Sequence, residues 1–79
     1  MNKETIKHLL RVYLEKYGRA YVNYILGSYI EYVVHDNKIY QRYLGNKHTE
    51  IKLGKIDDAQ VMDKIDVLLL GVSGVSFNR

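Results

Sequence analysis

Within residues 29 to 56, YIEYVVHDNKIYQRYLGNKHTEIKLGKI, the side chains best suited to recognising another molecule are Tyr40, Arg42 and Lys52. A guanidinium fork reads paired acceptors, an ammonium holds phosphate as a point charge, and a tyrosine ring is an apolar plate with a polar tip. Lys38, Lys47 and Lys55 stand at the ends of the apolar runs, where they can reach phosphate oxygens. Together these residues suit phosphate and base-edge contacts or a protein interface. A second reading stands beside this one: an ordinary solvated sheet face laced by Glu31, Arg42 and Glu50.

Catalytic chemistry is not expected. There is no cysteine, hence no thiolate nucleophile, disulfide framework or cysteine metal site, and a reducing cytoplasm suits the chain. His8, His35 and His48 lack paired ligand spacing, so no metal or other cofactor is expected. Ser28, Ser73 and Ser76 have no nucleophile-elbow context, and GVSG sits at no strand-to-helix transition that would make it a phosphate loop. Asp57, Asp58, Asp63 and Asp66, with Lys64 among them, read as a helix cap plus a solvated face. The apolar stretch Val67 to Val72 is far shorter than the roughly 20 residues of a membrane span, and MNKETIKHLL lacks a signal peptide's apolar run. No membrane partner is expected.

Charge is uneven along the 79 residues. Formal charge is +3 over residues 1–28, +2 over 29–56 and −2 over 57–79. A basic surplus with a pI near 9.2 is compatible with nucleic acid, and equally with plain solubility.

The elements that must position these side chains follow from periodicity. Ile6, Leu9, Leu10, Tyr13, Tyr17, Ala20, Tyr21, Tyr24 and Ile25 recur at helical spacing, which predicts a helix from Lys3 to Tyr17 resuming to Leu26. Gly18 either ends the first segment or merely weakens it. From Tyr29 the period becomes two, predicting strands over 29 to 34, 39 to 44 and 49 to 54. A two-residue turn at Asp36-Asn37 pairs Val34 with Ile39, Tyr32 with Gln41 and Ile30 with Tyr43 on an apolar face. Glu31, Val33, Tyr40 and Arg42 then lie opposite. A three-residue second loop at Gly45, Asn46 and Lys47 sets Glu50 against Arg42 and Lys52 against Tyr40. Asp57 or Asp58 caps a last helix carrying Val61, Met62, Ile65, Leu68 and Leu69 and ending at Gly71. Residues 72–79 read as a flexible tail. The fold class expected is α+β: an N-terminal helix of one or two segments, a three-stranded antiparallel meander, and a C-terminal helix packed on one sheet face, all in a single small domain over 1–79. Of the eight tyrosines, Tyr13, Tyr17, Tyr21, Tyr24, Tyr32 and Tyr43 fall on inward faces, and Tyr29 and Tyr40 on the open one.

The run GSYIEYVVHDNKIYQRYLGNKHTEIKLGKIDDAQVMDKIDVLLLG, residues 27 to 71, resembles the N-terminal three-stranded-sheet-plus-helix DNA-binding domain of tyrosine integrases, most like those of archaeal spindle-shaped viruses. The matching parts are an aromatic strand after a glycine, a polar turn, a tyrosine-rich second strand, a third strand ending in Leu53-Gly54, and a Val/Ile/Leu-rich helix. In that family the open sheet face enters the DNA major groove, so the resemblance implies that Tyr40, Arg42 and Lys52 face double-stranded DNA. It also implies a small non-enzymatic module of a virus or mobile element, which would place it in the host-cell cytoplasm. Two departures stand out: a helix precedes the sheet, and Glu31 and Glu50 flank the arginine. The alternative function is a protein–protein interaction module, either a homodimer or a small inhibitor of a host protein.

Overall fold

The computed structural model describes residues 2–65 and 71–79. Helix α1 spans Lys3–Tyr17. The Asn2 side chain accepts a hydrogen bond from the Thr5 amide at 2.8 Å, which satisfies one of the amide donors at the helix start. Gly18 ends it in the left-handed region, φ 75°, a conformation that costs glycine nothing sterically. Ile6, Leu10 and Leu14 step by four along α1 and are fully or almost fully buried.

Five strands follow: β1 Arg19–Tyr24, β2 Tyr29–His35, β3 Lys38–Tyr43, β4 Ile51–Lys55 and β5 Val72–Ser76. They form one antiparallel sheet in the order β4-β3-β2-β1-β5. Helix α1 covers one face. Its buried residues pack with Ala20, Val22, Tyr32, Ile39 and Leu53 from the sheet, with Val61 and Met62 from a short 3-10 segment, Val61–Lys64, and with Ile65 just after it. Burying roughly ten such side chains at about 1.5–3 kcal/mol each supplies the favourable term that opposes chain entropy in so small a domain.

The architecture corrects the expected fold class. The described residues form one α-helix and a five-stranded antiparallel sheet, not a three-stranded meander with a C-terminal helix packed on it. The helix expected to resume to Leu26 is strand β1. Residues 19 to 24 also alternate, Ala20 and Val22 inward against Arg19, Tyr21 and Asn23 outward, and pairing on both edges outweighs helix propensity. The tail expected to be flexible is β5 over Val72–Ser76, held on the free edge of β1. Of the expected last helix, Val61–Lys64 is a 3-10 turn with buried Val61 and Met62, and residues 66–70 lie outside the described residues.

The β2–β3 hairpin follows the expected register, with Val34 opposite Ile39, Tyr32 opposite Gln41 and Ile30 opposite Tyr43. Asp36 and Asn37 take φ of 51° and 64°, the left-handed pair that a two-residue turn needs. The β3–β4 connection is longer than the three residues expected, since Lys47–Thr49 forms a 3-10 turn and Thr49 Oγ1 accepts from the Tyr43 amide at 2.9 Å.

One irregularity in β4 matters for the surface. Ile39 pairs with Gly54 but Tyr40 pairs with Lys52, so Leu53 is an extra residue, a β-bulge. Leu53 turns into the core at 7 % exposure, and its carbonyl accepts a hydrogen bond from Lys64 Nζ at 3.1 Å. Gly54 has φ 141°, and a Cβ there would meet Val61 Cγ2 at 3.2 Å. Replacing Gly54 with alanine is expected to destabilise the fold by about 1–3 kcal/mol, the usual cost of forcing a side chain into this backbone region. Urea unfolding of G54A checks this, and an unchanged midpoint would show that the bulge relaxes without cost.

Candidate functional site: the solvent face of the sheet

Strand parity decides which side chains share the face away from α1. In β3, Lys38, Tyr40 and Arg42 alternate with the buried Ile39. Their cross-strand partners on β2 are His35, Val33 and Glu31, and on β1 the row continues with Arg19 and Tyr21. On β4, Lys52 stands opposite Tyr40 and Lys55 opposite Lys38. A strand without the bulge would send Lys52 and Lys55 to opposite sides, because three residues separate them. The extra residue Leu53 therefore brings the two lysines onto one face.

Of the six candidate residues, the sheet gathers five, Tyr40, Arg42, Lys52, Lys38 and Lys55. Lys47 is set apart: it lies in the 3-10 turn after β3, at the opposite end of the sheet from Lys38 and Lys55. Three further basic residues belong to the picture. Arg19 lies on β1, His35 ends β2, and the Arg79 guanidinium sits 3.7 Å from the Tyr29 ring centre while donating to Asn23 Oδ1. Arg19 was hidden by the helical reading of its segment; the alternation of residues 19 to 24 after Gly18 was the signal. No local pattern in residues 72–79 pointed to Arg79.

The face holds two kinds of cation. Arg42 donates through Nε to Glu50 Oε2 at 2.7 Å and through Nη1 to Glu31 Oε1 at 3.3 Å. Its pKa lies above the ordinary arginine value, first because of the hydrogen bond to Glu50, and its two contacts tie β3 to β2 and to the turn that leads into β4. Lys38, Lys52 and Lys55 differ. Among the described residues, no carboxylate lies within salt-bridge distance of any of them.

The tyrosines divide less simply than expected. Tyr32 is fully buried, and Tyr13 and Tyr24 are partly buried against the core. Tyr17 and Tyr43, expected inward, are 43 % and 55 % exposed because each lies near the end of its element, beyond the reach of the opposing layer. Tyr21 is buried, yet on the solvent side: it packs edge-on against Tyr29, with ring centres 5.9 Å apart, and faces Glu31 across the strands. Burial first, and then the Glu31 carboxylate, raises its phenol pKa above the ordinary value.

On the far side of the molecule an open groove of about 620 Å³ is lined by Arg11, Leu14, Glu15, Val34 and Ile56 among others. Its arginine is already engaged, bonded to Glu15 at 2.8 Å and to the Ile56 carbonyl at 2.9 Å. No helix among the described residues is long and apolar enough to cross a membrane. No protein-family model, curated protein or solved structure matches this chain.

Two outcomes follow from these contacts. A double-mutant cycle on Arg42→Ala and Glu50→Ala is expected to give a coupling of about 0.5–1 kcal/mol by urea unfolding, the scale of a partly exposed pair; zero coupling would make the contact passive. Tyr21 has a folded pKa above its unfolded value, so its contribution to stability is complete below the unfolded pKa of about 10 and is lost as pH rises through the folded value. Unfolding free energy should therefore decline in the alkaline range above about pH 10, and a Tyr21→Phe protein should show less of that decline.

Proposed function

We propose that the chain is a small non-enzymatic DNA-binding module that uses the solvent face of its sheet. The observation that carries this reading is the charge of that face. Arg19, Lys38, Arg42, Lys52, Lys55 and Arg79 gather there against Glu31 and Glu50, the electrostatic footprint of a phosphate-binding surface. Sheet width refines the docking. Five strands at about 4.8 Å spacing span about 19 Å, wider than a major groove of about 12 Å that admits a two-stranded ribbon. The edge pair β3–β4 is such a ribbon, and it carries Tyr40, Arg42 and Lys52 at its middle and Lys38 and Lys55 at its end. Lys47 contacts phosphate separately from the other end.

A second reading has its own observation. The end of the sheet formed by the β1–β2 and β3–β4 connections exposes Leu26 at 97 %, Ile25 at 72 % and Ile51 at 56 %, with Tyr43 and Leu44 also open. Such an apolar cluster suits a homodimer or a host-protein contact, and self-association would add stability to a small core.

Fluorescence anisotropy on a labelled duplex, at two salt concentrations, tests the first reading. With about four free lysine contacts, log affinity should fall against log salt with a slope of roughly −3 to −4. Absence of binding at low salt with micromolar protein would sink it. Light scattering separates the second: a dimer indifferent to DNA supports the protein-contact reading.

A further inference from the structure

Lys38 and Lys55 are directly opposed on neighbouring strands, a pairing of like charges that weakens a sheet. The backbone irregularity that produces it also serves the core, but the core does not require a lysine at either position. Lys38 alternates with buried Ile39, and Lys55 points outward because Leu53 has been inserted and Gly54 holds the backbone at φ 141°. A plain strand would not have brought Lys55 beside Lys38 on this face. Lys52 stands next along the same edge, opposite Tyr40. Among the described residues no carboxylate pairs with any of the three, whereas Arg42 on the same face takes two. The fold has neutralised one cation and left three neighbouring ones open.

We infer that Lys38 and Lys55, flanked by Lys52, form a seat for a phosphate-bearing polyanion, created by the bulge at Leu53. Its physiological ligand rests on the DNA reading above, in which the seat takes backbone phosphates. Because ammonium groups hold phosphate as point charges, the seat is indifferent to base sequence. Arg42, the one guanidinium on this ribbon, is occupied by Glu31 and Glu50. Binding at this edge is consequently carried by phosphate contact.

The seat has a signature that a solvated lysine lacks: removing a charge should raise stability and lower affinity together. In the full chain, Lys38→Gln and Lys55→Gln are each expected to raise Tm by about 1–5 °C as the cross-strand repulsion is lifted. Each should also lower the salt slope for a duplex by about 0.9, equally for two unrelated sequences. Lys3→Gln on α1 is the control for binding and should leave the salt slope unchanged; its own Tm rises slightly, because the change removes a cation from the start of the helix. Sodium tripolyphosphate is a second probe, independent of DNA. It should raise the Tm of the parent above that in sodium chloride of equal ionic strength, and the Lys38→Gln/Lys55→Gln protein should lose that increment. If the parent binds no duplex but keeps the tripolyphosphate increment, the DNA reading fails and the anion seat stands. If tripolyphosphate acts on parent and double variant alike, or the variants bind duplex as the parent does, the seat is overturned while the remaining face can still carry DNA binding.

Discussion

A chain of 79 residues can fill one layer of core, and here that layer lies between a single helix and a single sheet face. Ile6, Leu10 and Leu14 supply one side of it, and Ala20, Val22, Tyr32, Ile39 and Leu53 the other. Everything else is arranged around that burial. With α1 spanning one face, Val61, Met62 and Ile65 close the remaining gap from a short 3-10 turn. Among the described residues no second layer covers the opposite face, so charged and aromatic side chains can occupy it without the desolvation that a sandwich would impose.

Apart from Tyr21, buried there against Tyr29, that outer face carries little packing, and its electrostatics can be tuned residue by residue. Two carboxylates hold one guanidinium at 2.7 and 3.3 Å, tying β2, β3 and the approach to β4 together where water still screens the pair. Lys38 and Lys55 receive no such partners. The two treatments coexist within one hairpin; among the described residues no lysine makes an ion pair, and what sets Lys38 and Lys55 apart is their direct cross-strand opposition. The bulge that produces them is also a packing device. Leu53 keeps the inward place that alternation gives it, while the bulge turns Gly54 inward as well, where it lets the chain pass close to Val61. Core and surface therefore share one backbone irregularity, and a change that regularises the strand would disturb both.

The tyrosines show the same economy. Tyr32 is core outright, while Tyr21 is buried from the solvent side by Tyr29 and its neighbours. Tyr29 is braced in turn by its hydroxyl, which donates to the Leu44 carbonyl at 3.0 Å, and is covered by Arg79. Phe77 stacks on Tyr17 with ring centres 4.0 Å apart and meets Tyr13 edge-on. The residues after β5 thus close the margins of the helix layer and of the outer face.

Local chemistry alone determined α1 and the β2–β3 hairpin. Asn2 and Gly18 bracket a helical apolar stripe, and Asp36-Asn37 accepts the left-handed conformation that pins the register, so Glu31, Arg42 and Tyr40 could be placed on one face, with Lys52 beside them, from residue identities. Nonlocal pairing decided the rest. Residues 19 to 24 satisfy a helical and a strand period at once, and only the presence of partners on both sides makes them β1. Val72–Ser76 has little apolar period and becomes β5 because the outer edge of β1 offers unpaired backbone groups, which a strand of almost any composition can satisfy. The bulge is decided the same way: in a run reading Ile51-Lys52-Leu53-Gly54-Lys55, alternation sends Lys55 inward, and the shifted pairing with β3, beside which Val61 packs on Gly54 and Lys64 bonds the Leu53 carbonyl, turns it out.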